Sequence, residues 1–246
     1  MWESLLSRPK KFPPRTPDDL RIYAVGDIHG RADLLAQLLA CIDDDRAAYP
    51  AARAVEVFVG DYIDRGPQTR EVLDMLVARS RNRQLICLKG NHETYIPDFL
   101  HNPAILDRWR LFGGLETLVS YGITPSINPD EYERHELAAA FGDALPQSHR
   151  QFLAGLRSSF TCGDYFFCHA GVRPGVPLAQ QHEQDLLWIR EDFLQHEEGF
   201  GKIIIHGHTP VPEPDIRPNR INIDTGAYAT GKLTCLVLER EDITLI

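Results

Sequence analysis

Cysteine is scarce and never paired in pattern. Cys41, Cys87, Cys162, Cys168 and Cys235 stand singly with no CxxC among them, three of them within apolar runs as small buried thiols do, which fits a reducing compartment. No stretch approaches the ~18 uninterrupted apolar residues of a membrane span, and the start of the chain lacks the apolar core of a signal peptide. There is no N-x-S/T acceptor site. These absences predict a soluble, cytoplasmic protein without a membrane partner. Positive charge is also short: 26 Lys and Arg against 35 Asp and Glu give a net charge of -9, which argues against a broad nucleic-acid footprint. No repeat of solenoid period is present. With hydrophobic residues at 43% and charged residues at 25%, disorder, collagen and coiled coil are poor descriptions, and an ordinary globular fold remains.

What is present is a repeated design. "RIYAVGDIHG", "VEVFVGDYIDRG", "QLICLKGNHE", "YFFCHAG" and "KIIIHGHT" are short apolar, β-rich runs that stop abruptly on Gly, Asp, Asn or His, and such runs read as buried strands. Between the first three lie helical patterns, one placing Leu34, Leu35, Leu38, Leu39 and Ile42 on one face, the other Val72, Leu73, Leu76 and Val77. This β-α-β-α-β alternation predicts a mostly parallel sheet, whose ligands collect beyond the carboxyl ends of the strands. Residues 1–20, basic and proline-rich around Arg8 to Pro17, read as a flexible arm. Residues 21–246 read as a single domain, with a helical cap inserted over about 96–158. The closing strands "RINIDTG", "KLTCLVLER" and "DITLI" follow one another without helices, which predicts a second, partly antiparallel sheet.

The polar residues at the strand ends form a set: Asp27 and His29, Asp61 and Asp64, Asn91 and His92, His169, His206 and His208. Singly each has an ordinary explanation. Asp27 could cap a helix, Asp61 could open a turn, and His169 could be a core imidazole. Five separate turns all carrying metal-ligand residue types are poorly explained that way. Carboxylate, imidazole and amide oxygen without thiolate suit Mn, Fe, Zn, Co or Ni more than copper(I) or an iron–sulfur cluster. The set is large enough for two ions, the arrangement that clamps the attacking and leaving oxygens of an in-line displacement at phosphorus.

"GDIHG", "GDYIDRG" and "GNHE", in that order and followed by "HAG" and "HGHTP", resemble the calcineurin-like metallophosphoesterases, and more closely their phosphoprotein phosphatase branch. The likeness runs over residues 26–227. It implies a four-layer α-β-β-α sandwich with two mixed central sheets. It also implies two divalent metal ions, Mn above the others, with Asp27 and His29 on the first, Asp61 shared, and Asn91, His169 and His208 on the second. In the same likeness His92, held by Asp64, donates a proton to the leaving oxygen while a hydroxide held between the ions attacks phosphorus. Arg65 and Arg190 would hold the phosphate oxygens together with Asn91. His206 stays outside the set as a neighbour of the cleft.

The resemblance leans toward a serine/threonine protein phosphatase acting on phosphorylated protein or a small phosphoester. Diadenosine tetraphosphate hydrolases are the alternative; they resemble this chain less where they read GNHD, because Glu93 stands here. The lack of a long regulatory segment implies no regulatory subunit. A scaffold that has lost catalysis would be missing ligands, and none is missing. A nuclease of this type would carry a second His where Pro210 stands. "GFGKIIIHG" contains a GxGK but runs into a strand, whereas a phosphate-cradling loop opens a helix.

Overall fold

The computed structural model describes residues 13–246. Its first sheet contains β1 (Leu20–Val25), β2 (Arg53–Phe58) and β3 (Leu85–Cys87), all parallel, with α1 (Ala32–Ala48) and α2 (Thr69–Ser80) as crossovers. Helices α3 (Tyr95–His101), α4 (Leu106–Trp109), α5 (Gly114–Ser120), α6 (Glu131–Ala144) and α7 (Gln147–Ala154) follow. The second sheet is built from β4 (Ser159–Cys162), β5 (Tyr165–Cys168), β6 (Ile203–His206), β7 (Asp215–Ile216) and β8 (Arg220–Asn222), with α8 (Glu183–Trp188) and α9 (Glu191–Leu194) between β5 and β6. After α10 (Ala227–Thr230), β9 (Cys235–Glu239) and β10 (Asp242–Leu245) return to the first sheet, β9 antiparallel to β1.

Strand order is β10-β9-β1-β2-β3 in one sheet and β4-β5-β6-β8-β7 in the other. The closing strands therefore do not form a sheet of their own. β8 pairs in parallel with β6, while β9 and β10 complete the first sheet.

Alternation along each strand builds the layers. Ile22 and Ala24 of β1 face Phe167, Ile205 and Ile221 across the core between the sheets. Tyr23 and Val25 face outward, with Leu35, Leu38, Leu39 and Ile42 of α1 and Val72, Leu73 and Leu76 of α2. Leu34 and Val77, at the margins of those two stripes, are only partly buried. On the far side Phe166 and Ile204 meet Leu186 of α8 and Phe193 of α9. Both sheets are thus covered on both faces, which is why their strands read as unbroken apolar runs. The residues 96–158 expected as a cap share the outer core of the first sheet, with Ile96, Phe99, Trp109, Leu118 and Phe141 in the same cluster as Tyr23 and Ile28.

The expected arm divides. Residues 1–12 lie outside the described residues, but Pro14 to Thr16 are tied down. Thr16 N donates to Arg240 O (2.9 Å), and Asp164 N donates to Arg15 O (2.9 Å). This segment spans the β9–β10 and β4–β5 turns, at the end of the sheets opposite the strand carboxyl ends. No helix among the described residues is long and apolar enough to cross a membrane.

Candidate metal centre

The carboxyl ends of β1, β2 and β3 lead into the Asp27–Gly30, Asp61–Gly66 and Gly90–Thr94 loops, and those of β5 and β6 into His169 and His208. The loops are knitted to one another. His29 N and Ile28 N both donate to Asp61 O, and Gly207 N donates to His169 O. Glycine is required where they nearly touch: a Cβ on Gly90 would lie 2.1 Å from Asp61 Oδ1, and one on Gly60 2.6 Å from Gly90 N. Five non-glycine residues of the site, His29, Asp61, Asp64, Arg65 and His208, have φ between 46° and 70°. That left-handed backbone is uncommon outside glycine and concentrates at functional sites.

Two groups of ligand-type atoms converge, sharing Asp61. Asp61 Oδ2 lies 3.4 Å from His29 Nε2, and Asp61 Oδ1 lies 3.4 Å from His169 Nε2. Around the second group, His169 Nε2 is 2.9 Å from Asn91 Oδ1 and 3.1 Å from His208 Nδ1, and His208 Nδ1 is 2.9 Å from Asn91 Oδ1. His29 Nδ1 donates to Ile63 O (2.8 Å) and His169 Nδ1 to Val59 O (3.0 Å), so in each neutral ring Nε2 carries a lone pair toward the site. Burial drives the His29 pKa down to about 3 and lowers those of His169 and His208 as well. Neutral imidazole is the metal-binding form.

Asp27 lies against Gly207 and accepts from His208 N through Oδ2 (3.1 Å). Its Oδ1 is buried without any hydrogen-bond partner. Burial, reinforced by Asp224 and Asp61, raises the Asp27 pKa well above the usual carboxylate range. Converging lone pairs, an orphaned oxygen and crowded buried carboxylates are a surroundings that a cation would satisfy. The donor set present therefore fits divalent metal.

His92 also falls within reach of His29 and Asp61, at 3.8 Å from Asp61 Oδ2. Its environment differs from that of the others. Nδ1 is engaged by Asp64 Oδ2 at 2.7 Å, and Nε2 faces the Arg65 guanidinium at 3.3 Å, a poor setting for a resident cation. Burial opposes a charge on His92, but the Asp61 and Asp64 carboxylates outweigh it and raise its pKa. Asp64 is in turn held by two donors from the 96–158 region: Thr117 Oγ1 at 2.6 Å and Trp109 Nε1 at 2.8 Å. Trp109→Phe keeps an aromatic ring in the core, deletes the donor to Asp64 and gives up the packing of the second ring of the indole. It is expected to lower kcat about tenfold with KM unchanged, which steady-state kinetics alongside a thermal melt would separate from a loss of folding.

The two arginines are placed differently. Arg65 is half-buried beside His92, and its guanidinium lies 4.6 Å from the centroid of the Tyr228 ring. Arg190 is exposed at the start of α9, 3.4 Å from Thr209 Oγ1 in the residue after His208. His206 turns to the other face of its strand, onto Phe193 at 4.9 Å between ring centroids, and is not part of the convergence.

The sequence reading leaves Trp109, Thr117 and Asp224 out of the site and weighs Glu93 only as a letter of its motif. Glu93 accepts from the backbone N–H groups of Gly90 (2.8 Å), Asp61 (3.0 Å) and Tyr62 (2.9 Å), bracing two loops from within. At 4% exposure and with its carboxylate taken up by three backbone N–H groups, Glu93 is accounted for as a brace between loops without any substrate contact. The leaning toward a protein phosphatase that rested on Glu93 loses that support. Asp224 ends "RINID", the same apolar-run-then-carboxylate design as the other strands, and that signal was available.

The relatives of the chain bear on the same point. An asymmetrical bis(5'-nucleosyl)-tetraphosphatase PrpE of Anoxybacillus flavithermus is 26% identical over 86% of this chain and 88% of its own length. Among solved structures, a candidate diadenosine tetraphosphatase superposes with a TM-score of 0.64 at 17% identity, covering 96% of this chain and 98% of the other. A cold-active protein tyrosine phosphatase of a psychrophilic Shewanella gives 0.55 at 17% identity, covering 94% and 80%. At such identities the two structures speak to fold alone. The family model described as calcineurin-like phosphoesterase matches residues 20–246, and with the α-β-β-α layers and the converging ligand set this places the chain in that family as a phosphoester hydrolase.

Proposed function

We propose that the chain hydrolyses dinucleoside polyphosphates of the diadenosine tetraphosphate type. The observation that carries this reading is the near full-length likeness to proteins named as tetraphosphatases, on a site whose residues suit in-line displacement at phosphorus. The family uses divalent metal ions, and the paired Asp and His groups fit them. In this proposal Asp27, His29, Asp61, Asn91, His169 and His208 hold two ions, of which Mn suits the oxygen and imidazole donors well. When bound, the ions offset phosphoryl charge and make water a competent nucleophile at neutral pH.

The chain's own groups perform the rest. Arg65 and Arg190 grip nonbridging phosphoryl oxygens, a task suited to planar guanidinium forks. His92 gives its Nε2 proton to the bridging oxygen as the P–O bond breaks, so that the departing nucleotide leaves without an added negative charge. Asp64 holds the ring so that Nε2 faces the substrate. Water supplies the oxygen that ends on the attacked phosphorus, and no phosphoenzyme forms.

The test offers Mn-loaded protein diadenosine tetraphosphate and a phosphothreonine peptide side by side, with products separated by chromatography. A kcat/KM about 100-fold higher for the dinucleotide is expected, with AMP and ATP as products if cleavage is asymmetrical. The reverse preference would return the chain to the protein phosphatases.

A further inference from the structure

A cavity of about 430 Å³ lies between α3–α4 on one side and α8 on the other, walled by Tyr95, Ile105, Arg108, Gln184, Trp188 and Lys89. It adjoins the reacting groups through both aromatic walls. The Tyr95 ring centroid is 6.4 Å from that of His92, and the Trp188 centroid is 6.2 Å from that of His208. Tyr95 is 3% exposed, and its buried hydroxyl lies beside the Arg108 side chain, with Asp64 and Asp98 also near. Tyr95 also stacks on Trp109 at 6.3 Å with an interplanar angle of 5°, and Trp109 donates to Asp64. The wall is thereby fixed to the same scaffold as His92. At the cavity edge Lys89 Nζ pairs with Glu183 at 2.7 Å.

From this we infer that the cavity is the subsite for the nucleoside of the leaving nucleotide. The inference rests on the dinucleotide reading above and assigns one half of that substrate to a place. Its direction comes from His92: the atom that receives the His92 proton belongs to the leaving group, and Tyr95 stands next to His92. Its chemistry comes from the lining. Trp188 and Tyr95 give the cavity aromatic walls for a flat base, and Lys89 and Arg108 offer hydrogen-bond donors whose charge is offset by Glu183 and Asp98 in the same lining, which suits an uncharged nucleoside. The volume lies within the range of small-ligand pockets, about 300 to 1,000 Å³.

Gln184, an exposed residue of α8 on the cavity wall and outside the proposed catalytic and metal-holding set, is the place to test it. Gln184→Trp fills the cavity from the outside. Steady-state kinetics on diadenosine tetraphosphate and on p-nitrophenyl phosphate, which has no nucleoside, should show KM for the dinucleotide raised about tenfold or more with the aryl phosphate unaffected. Arg108→Ala, also on an exposed side chain, should raise the same KM selectively. A wild-type protein that cleaves p-nitrophenyl phosphate but not the dinucleotide would sink the substrate reading and this inference with it. A dinucleotide-cleaving wild type with an unchanged KM in both variants, or with both substrates impaired equally, would overturn the subsite alone.

Discussion

His92→Asn is expected to lower kcat for diadenosine tetraphosphate by about 100- to 10,000-fold, the range associated with loss of a positioned general acid. Asn fills much of the same space and preserves the His92 N–H donated to Asp61 Oδ1 (3.1 Å), because that bond comes from the backbone. Metal content should therefore stay at the wild-type level, and elemental analysis of the purified variant would show it. A second readout isolates the proton. p-Nitrophenolate departs readily without protonation, whereas phenolate does not, so the loss on p-nitrophenyl phosphate should be much smaller than on phenyl phosphate. Equal losses on both would mean that His92 acts by holding the metal or the phosphate rather than by protonating the leaving oxygen.

Asp61→Asn should have the other large effect. Asp61 faces His29 through one oxygen and His169 through the other, so a neutral amide there weakens both groups at once. We expect the loss of most bound Mn and a fall in kcat of about 1,000-fold or more. The stability effect should have two parts. Asp61 raises the pKa values of Asp27 and Glu93 by proximity. Against the cost of burial, however, the surrounding imidazoles hold its own pKa below the usual carboxylate range. Its charge is thus favoured in the fold, and the metal-free variant should melt lower than the wild type at neutral pH. Added Mn should raise Tm in the wild type, by the equivalent of about 2.7 kcal/mol at one hundred times Kd, and barely in the variant. A variant that retains two equivalents of metal and the Mn-dependent shift would remove Asp61 from the shared position.

Much of this candidate site is legible in the sequence because its chemistry is local to strand ends. "GDIHG", "GDYIDRG" and "GNHE" each carry both the apolar run that makes the strand and the polar atoms that its end presents. What was hidden is what depends on distant partners. Trp109 and Thr117 read as helix residues of a covering segment, and only tertiary contact turns them onto Asp64. Glu93 was visible as a letter of its motif, but its work is on backbone N–H groups that the motif does not show. β4 and β7 are not legible because each is a short edge strand, "SFTC" with an exposed Thr and "DI" with two residues, so neither needs a continuous apolar run. The closing strands were found, but their allegiance was not: hydrogen-bond pairing between β1 and β9 spans more than two hundred residues, and periodicity carries no record of which sheet a strand will join.

That long pairing has a consequence for how the molecule is assembled during synthesis. β1 sits in the middle of its sheet, with β2 on one side and β9 on the other. As the chain leaves the ribosome, at roughly 5 to 20 residues per second, β1, β2 and β3 can pair early. The other margin of β1 stays open until Cys235–Glu239 emerge. During that interval "LRIYAV" is an exposed apolar strand with unpaired backbone groups, the kind of edge that recruits strands from other chains. The half-built sheet already presents Asp27, His29, Asp61 and Asn91, whereas His169 and His208 arrive later. Chaperone demand and aggregation during expression should thus track the delivery of β9 more closely than the stability of the finished enzyme.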